Sequence, residues 1–195
     1  MRIGLTGGIA CGKSTVAQLF AKHGAKVVST DQLAHEILES PAVAPQVRIR
    51  FGETVFHADG TVNRPALGKI VFADAGAKKW LEALLHPLVR EGWTGQVNAS
   101  PGALWVVEIP LLFENSLETE FNLTVCVACT QQTQLTRMVK RGLDLKQAQS
   151  RLRAQWPLEE KVRRSNCCLF NEGDLLFLER QILLLLSRFP GSVTR

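Results

Sequence analysis

The stretch Gly4-Leu5-Thr6-Gly7-Gly8-Ile9-Ala10-Cys11-Gly12-Lys13-Ser14-Thr15 constrains this chain more than any other. Its frame Gly7-x-x-x-x-Gly12-Lys13-Ser14 is a phosphate-binding loop, which works only between a strand and the start of a helix. Residues 1–6 are short and apolar, as a strand requires. From Ser14 onward, Val16, Leu19 and Phe20 recur at helical spacing. In that setting the backbone N–H groups of Gly8 and of Ala10 through Thr15 curl around a phosphate chain. The Lys13 ammonium reaches the β- and γ-oxygens, the Ser14 hydroxyl ligates Mg²⁺, and the helix adds its positive end. A nucleotide is expected to bind here.

Further apolar runs at 25–30, 104–108, 123–128 and 167–170 read as strands, with helical patterns between them. The alternation predicts an α/β fold with a doubly wound, five-stranded parallel sheet. Residues 40–102 break the rhythm. They are too long for a connection, and Leu67, Ile70, Val71, Trp80, Leu81, Leu84, Leu85 and Leu88 are spaced as in helices. They are expected to form a helical insert for an acceptor, leaving 1–39 and 103–195 as the nucleotide-binding core. Residues 131–155 carry Arg137, Lys140, Arg141, Lys146, Arg151 and Arg153 against the single acid Asp144. Beside a phosphate loop they are expected to act as a lid over triphosphate.

At 195 residues the chain suits one substantial core with an insert, and 46% hydrophobic with 21% charged residues is ordinary for a globular protein. The net charge of +5 favours polyanionic partners. No zinc-finger spacing, aromatic RNA-binding motif or basic arm points to nucleic acid, and small phosphorylated substrates account for the charge. The run 182–186 is far too short to span a membrane. Cys126-x-x-Cys129 has ligand-like spacing, but in a strand those positions face opposite ways, and Cys167-Cys168 has no nearby His. All five cysteines, Cys11 included, are expected to be reduced and buried. With no signal pattern ahead of the first strand, a cytoplasmic location is expected.

A phosphate loop alone also permits a GTPase, a motor or a transport ATPase. The chain carries no Asn-Lys-x-Asp guanine reader and is too short for a motor, which favours a small-molecule kinase. Such an enzyme needs a group that orients the acceptor hydroxyl. Asp31 follows an apolar strand and is a candidate, although the same atoms would serve as a helix N-cap. Glu108 closes the 104–108 run, either as a carboxylate holding a water on Mg²⁺ or as a plain strand-end acid.

Several blocks together resemble the dephospho-coenzyme A kinase family over nearly the full length. They are residues 3–20, "VVSTDQLAHEIL" (27–38), "DGTVNRPALGKIVF" (59–72), "LLHPLVR" (84–90), "VVEIPLLFE" (106–114), "RLRAQ" (151–155) and "LFNEGD" (169–174). The resemblance implies that MgATP phosphorylates the ribose 3′-hydroxyl of dephospho-coenzyme A, the last step of coenzyme A biosynthesis. It implies that Asp31 engages that hydroxyl, and that Arg64, His86 and Glu114 serve the acceptor. Arg137 and Arg141 match lid cations; no protein or membrane partner is implied. The chain departs from the family pattern at Ala10-Cys11, at Ser29 in place of an acid, at His35 in place of Arg and at Asn166 in place of Asp. In particular Ala10, standing for a glycine, is expected to avoid positive φ.

Overall fold

The computed structural model describes residues 1–189. Its first half runs β1 (Arg2–Gly7), α1 (Lys13–Lys22), β2 (Lys26–Ser29), α2 (Thr30–Leu38), α3 (Ala44–Phe51), α4 (Arg64–Ala73) and α5 (Ala75–Asn98). The second half runs β3 (Trp105–Glu108), β4 (Leu123–Ala128), α6 (Gln131–Lys140), α7 (Leu145–Arg153), α8 (Leu158–Arg164), β5 (Cys167–Phe170) and α9 (Leu175–Ser187). Two compact units result: Met1–Ser29 with the chain from Ser100 onward, and Thr30–Ala99.

In the first unit the five strands pair in parallel in the order β2-β3-β1-β4-β5. The chain leaves β1 toward one edge of the sheet and leaves β3 toward the other. The carboxyl ends of these neighbours therefore form the switch point at which such sheets bind ligands. Strand β3 is buried throughout and β1 and β4 nearly so, as a sheet covered on both faces demands. Val16, Ala17, Leu19 and Phe20 of α1 join Ile3, Leu5, Val106 and Val125 of the sheet and Leu178 and Ile182 of α9 in one core. Phe20 is fully buried, a contribution of about 2–3 kcal/mol. The edge strand β5 buries Leu169 but exposes Cys168 and leaves Cys167 half-buried. The expectation of five buried thiols thus holds for Cys11, Cys126 and Cys129 and fails at Cys167 and Cys168 on the edge strand.

The second unit packs Leu38, Val43, Val47, Val55, Phe56, Val62 and Leu67 into a core of its own, bordered by Trp80, Leu81, Leu84, Leu85 and Leu88 of α5. Asp74 caps that 24-residue helix, its Oδ1 accepting from Gly76 N at 2.7 Å and Ala77 N at 3.2 Å. Helix α2 belongs to this unit because it packs along α5, close enough that a Cβ on Gly92 would lie 2.8 Å from Leu33 Cδ2. The unit consequently starts at Thr30, ahead of the expected boundary at 40. Among the described residues no helix is long and apolar enough to cross a membrane.

Candidate active site

The phosphate loop spans the gap between β1 and α1, and its path depends on glycine where backbone comes closest. A Cβ on Gly7 would fall 2.3 Å from Val127 O. At Gly12 φ is 94°, and a Cβ would fall 2.2 Å from Asn171 Nδ2. Ala10 takes φ 60°, which overturns the expectation that it avoids the left-handed region. Its methyl is buried with Met138 and Ala148, and its carbonyl accepts from Arg137 Nη1 at 3.2 Å, so packing and a charged hydrogen bond impose the turn.

Side chains from α6 and from two connecting segments hold the loop. From α6, Gln134 Nε2 donates to Ile9 O at 2.8 Å, and Arg137 bonds Cys11 O at 3.4 Å and Asn171 O at 3.0 Å. The Gln155 side-chain oxygen accepts from Ile9 N at 3.1 Å, and buried Asn171 donates to Cys11 O at 2.8 Å. Sequence patterns do not single out Gln134, Gln155 or Asn171, although Gln155 and Asn171 fall in "RLRAQ" and "LFNEGD". Arg137 is half-buried against the loop, whereas Arg141 is exposed and forms the C-cap of α6.

At the mouth of the loop the Lys13 ammonium donates to Gly7 O at 3.3 Å and Gly8 O at 3.2 Å. Ser14, in the first turn of α1, donates to Glu108 Oε1 at 3.0 Å. Glu108 is buried at the end of β3, paired in register with Leu5. A hydroxyl and a carboxylate, both hard oxygen donors and already adjacent, suit Mg²⁺, which keeps several waters and takes few protein ligands.

Glu114, in the segment after β3, faces a partner that no sequence pattern announces. Lys161 of α8 is completely buried, with its Nζ 2.7 Å from Glu114 Oε1 and donating to Pro110 O at 2.9 Å. The Glu114 contact is charge pairing without hydrogen-bond alignment, and both carboxylate oxygens are buried with no hydrogen bond among the described residues. Asn166, standing for an acid, joins the start of β4 to the residue ahead of β5. Its Oδ1 accepts from Thr124 N at 2.8 Å and from Thr124 Oγ1 at 2.9 Å.

The expected acceptor residues Asp31, Arg64 and His86 all lie in the Thr30–Ala99 unit. Asp31 is exposed in the first turn of α2, inside the helix rather than at its cap, so the capping alternative is not realised. Arg64 opens α4 behind Asn63, whose Oδ1 accepts from Ala66 N at 3.1 Å. His86 is exposed on α5 next to Pro87, which removes one hydrogen bond from that helix. His35 lies one turn beyond Asp31. Partial desolvation, and then the Arg64 charge, hold its imidazole below the ordinary histidine range, while Asp31 pulls the other way. Its surface is largely exposed, so this desolvation is modest.

Comparison with known proteins gives consistent matches. The family model described as dephospho-CoA kinase matches residues 1–176. A dephospho-CoA kinase of Parasynechococcus marenigrum (strain WH8102) is 43% identical over 175 residues, covering 88% of each chain. The crystal structure of TT1252 from Thermus thermophilus superposes with a TM-score of 0.85 at 36% identity, over 97% of both chains. A dephospho-CoA kinase from Campylobacter jejuni gives 0.66 at 26% identity, over 96% of both.

Proposed function

The chain belongs to the dephospho-CoA kinase family, and from that premise we propose that it transfers the γ-phosphoryl group of ATP to the ribose 3′-hydroxyl of dephospho-CoA. The observation that carries this reading is the complete phosphate loop with its hydroxyl on a strand-end carboxylate, Ser14 Oγ to Glu108 Oε1 at 3.0 Å. The loop amides of Gly8 and of Ala10 to Thr15 hold the polyphosphate, and Lys13 supplies charge at the γ-oxygens. Ser14 and Glu108 would hold Mg²⁺. When bound, that ion neutralises charge on the β- and γ-oxygens.

Transfer forms a bond from the acceptor oxygen to γ-phosphorus and breaks the bridge to the β-phosphate, releasing ADP. Asp31 aims the 3′-hydroxyl and accepts its proton. Arg64 and His86 bind the acceptor, whereas Glu114, its carboxylate buried against Lys161, serves it by holding the segment after β3 rather than by contact. Arg137 acts on the phosphates from its place on the loop, and Arg141 reaches them from the end of α6. Their charge meets what spreads over the γ-oxygens in a loose transition state.

A coupled ADP-release assay with dephospho-CoA, its product identified by mass, tests the reading. Asp31→Asn keeps the side chain's shape but loses its charge. It should lower kcat by roughly 10²–10⁴-fold, nearer the low end if aiming dominates, with ATP affinity nearly unchanged. ADP release indifferent to dephospho-CoA would reject the acceptor. Unchanged kcat in Asp31→Asn would move the carboxylate's role elsewhere.

A further inference from the structure

Two thiols meet behind the phosphate loop. Cys11 belongs to the loop and Cys129 follows the last residue of β4. The Cys129 thiol donates to Cys11 Sγ at 3.3 Å, and both residues are buried. We propose that Cys11 and Cys129 form a reversible disulfide, made by a small hydroperoxide and broken by thiol reductants, that switches off nucleotide binding.

Three features of the site support the bond. A disulfide needs its sulfurs about 2.05 Å apart, so closing from 3.3 Å requires a movement of only about 1.3 Å. A small oxidant can also come close to the pair from one side. Cys129 and Gly8 both line a cleft of about 270 Å³ together with Gln134, Gln155 and Trp156. Cys11 is fully buried and does not itself line the cleft, but Gly8, which does, puts no side chain over its sulfur: a Cβ there would sit 2.9 Å from Cys11 Sγ. Finally, the two thiols are unequal. The hydrogen bond from Cys129 and the nearby Lys13 charge draw the Cys11 thiol below its ordinary value against the opposing effect of burial, while Cys129 is pushed up. With Lys13 two residues away along the loop, Cys11 is taken as the nucleophile and Cys129 as the resolving thiol.

In the first step the Cys11 thiolate attacks one peroxide oxygen, the O–O bond breaks, and the other oxygen leaves as hydroxide or alkoxide, which takes up a proton. The Cys129 sulfur then attacks the sulfenic sulfur. An S–S bond forms, the S–O bond breaks, and the departing hydroxide leaves as water with the Cys129 proton. Two thiols lose two electrons, and one hydroperoxide is reduced to water and an alcohol, or to two waters.

The bond acts on nucleotide because of where Cys11 sits. Its neighbours Ala10 and Gly12 hold φ of 60° and 94°, and its carbonyl is fixed by Asn171 at 2.8 Å. Drawing its sulfur toward β4 pulls on a loop whose amides must converge on phosphate.

The test treats purified full-length protein with a few equivalents of hydrogen peroxide, maps disulfides by peptide mass, and titrates a fluorescent ATP analogue before and after. The expected result is a Cys11–Cys129 peptide lighter by two hydrogens, analogue affinity at least tenfold weaker, and full recovery with dithiothreitol. Cys129→Ser and Cys129→Ala, two chemically different replacements, should both keep their affinity through the same treatment. A bridge elsewhere, such as between the register partners Cys126 and Cys168, would overturn the proposal. So would oxidation confined to exposed Cys168, or unchanged affinity in fully bridged protein. The readout is a bond and a binding constant, so it stands apart from the identity of the acceptor.

Discussion

Replacing Lys161 with Met should destabilise the nucleotide-binding unit more than removal of a surface charge can. The side chain is 0% exposed and that of Glu114 15% exposed, so the change leaves a carboxylate facing protein with little solvent access. Breaking a buried pair by deleting one partner costs about 3–5 kcal/mol. A second route gives an upper limit. Any carboxylate can escape by taking a proton, and at pH 7 an ordinary Glu pKa of about 4.3 makes that cost about 3.7 kcal/mol. Pro110 O loses one donor but keeps Thr6 Oγ1 at 3.3 Å, so little is added there. The expected loss is about 3–4 kcal/mol, or roughly 6–15 °C in Tm for a chain of this length. Thermal and urea denaturation followed by circular dichroism would measure it. Glu114→Leu added to Lys161→Met should recover most of the loss, because the stranded charge is then gone. A single variant within about 1 kcal/mol of the parent, or a double variant less stable than the single, would refute the buried-charge argument.

Arg137→Ala removes hydrogen bonds to Ala10 O, Cys11 O and Asn171 O, so it should weaken ATP binding about tenfold as well as lower kcat; an intact ATP Kd would confine Arg137 to the transition state. Arg64→Ala should raise KM for dephospho-CoA with the KM for ATP unchanged, and an effect on ATP alone would remove Arg64 from the acceptor. The folded protein holds the His35 proton less tightly than the unfolded chain does. Its stabilising effect is therefore intact above about pH 6.5 and is lost as pH falls below that value toward the folded pKa. In His35→Gln, Tm should fall less between about pH 7.5 and 5.5, and an identical pH slope would show that this imidazole is not the group responsible.

The sheet was legible because its strands are short apolar runs separated by helical periodicity, a local pattern that buried parallel strands enforce. The loop was legible because its chemistry dictates residue types at fixed spacing. The start of the second unit was not, since α2 joins it through packing on α5, a tertiary choice that Asp31-Gln32-Leu33 does not announce. Lys161 was hidden for a related reason. In "LEEKVRR" it reads as one more solvated charge, and only the fold turns it toward Pro110 and Glu114. Ala10 shows the limit of arguing from residue type alone. A left-handed alanine costs about 1 kcal/mol or somewhat more, and that cost made positive φ look excluded. The methyl recovers about 0.8 kcal/mol on burial against Met138 and Ala148, and Arg137 fastens the carbonyl the turn presents. The terms nearly cancel, so the loop keeps the glycine-like path with a side chain on it.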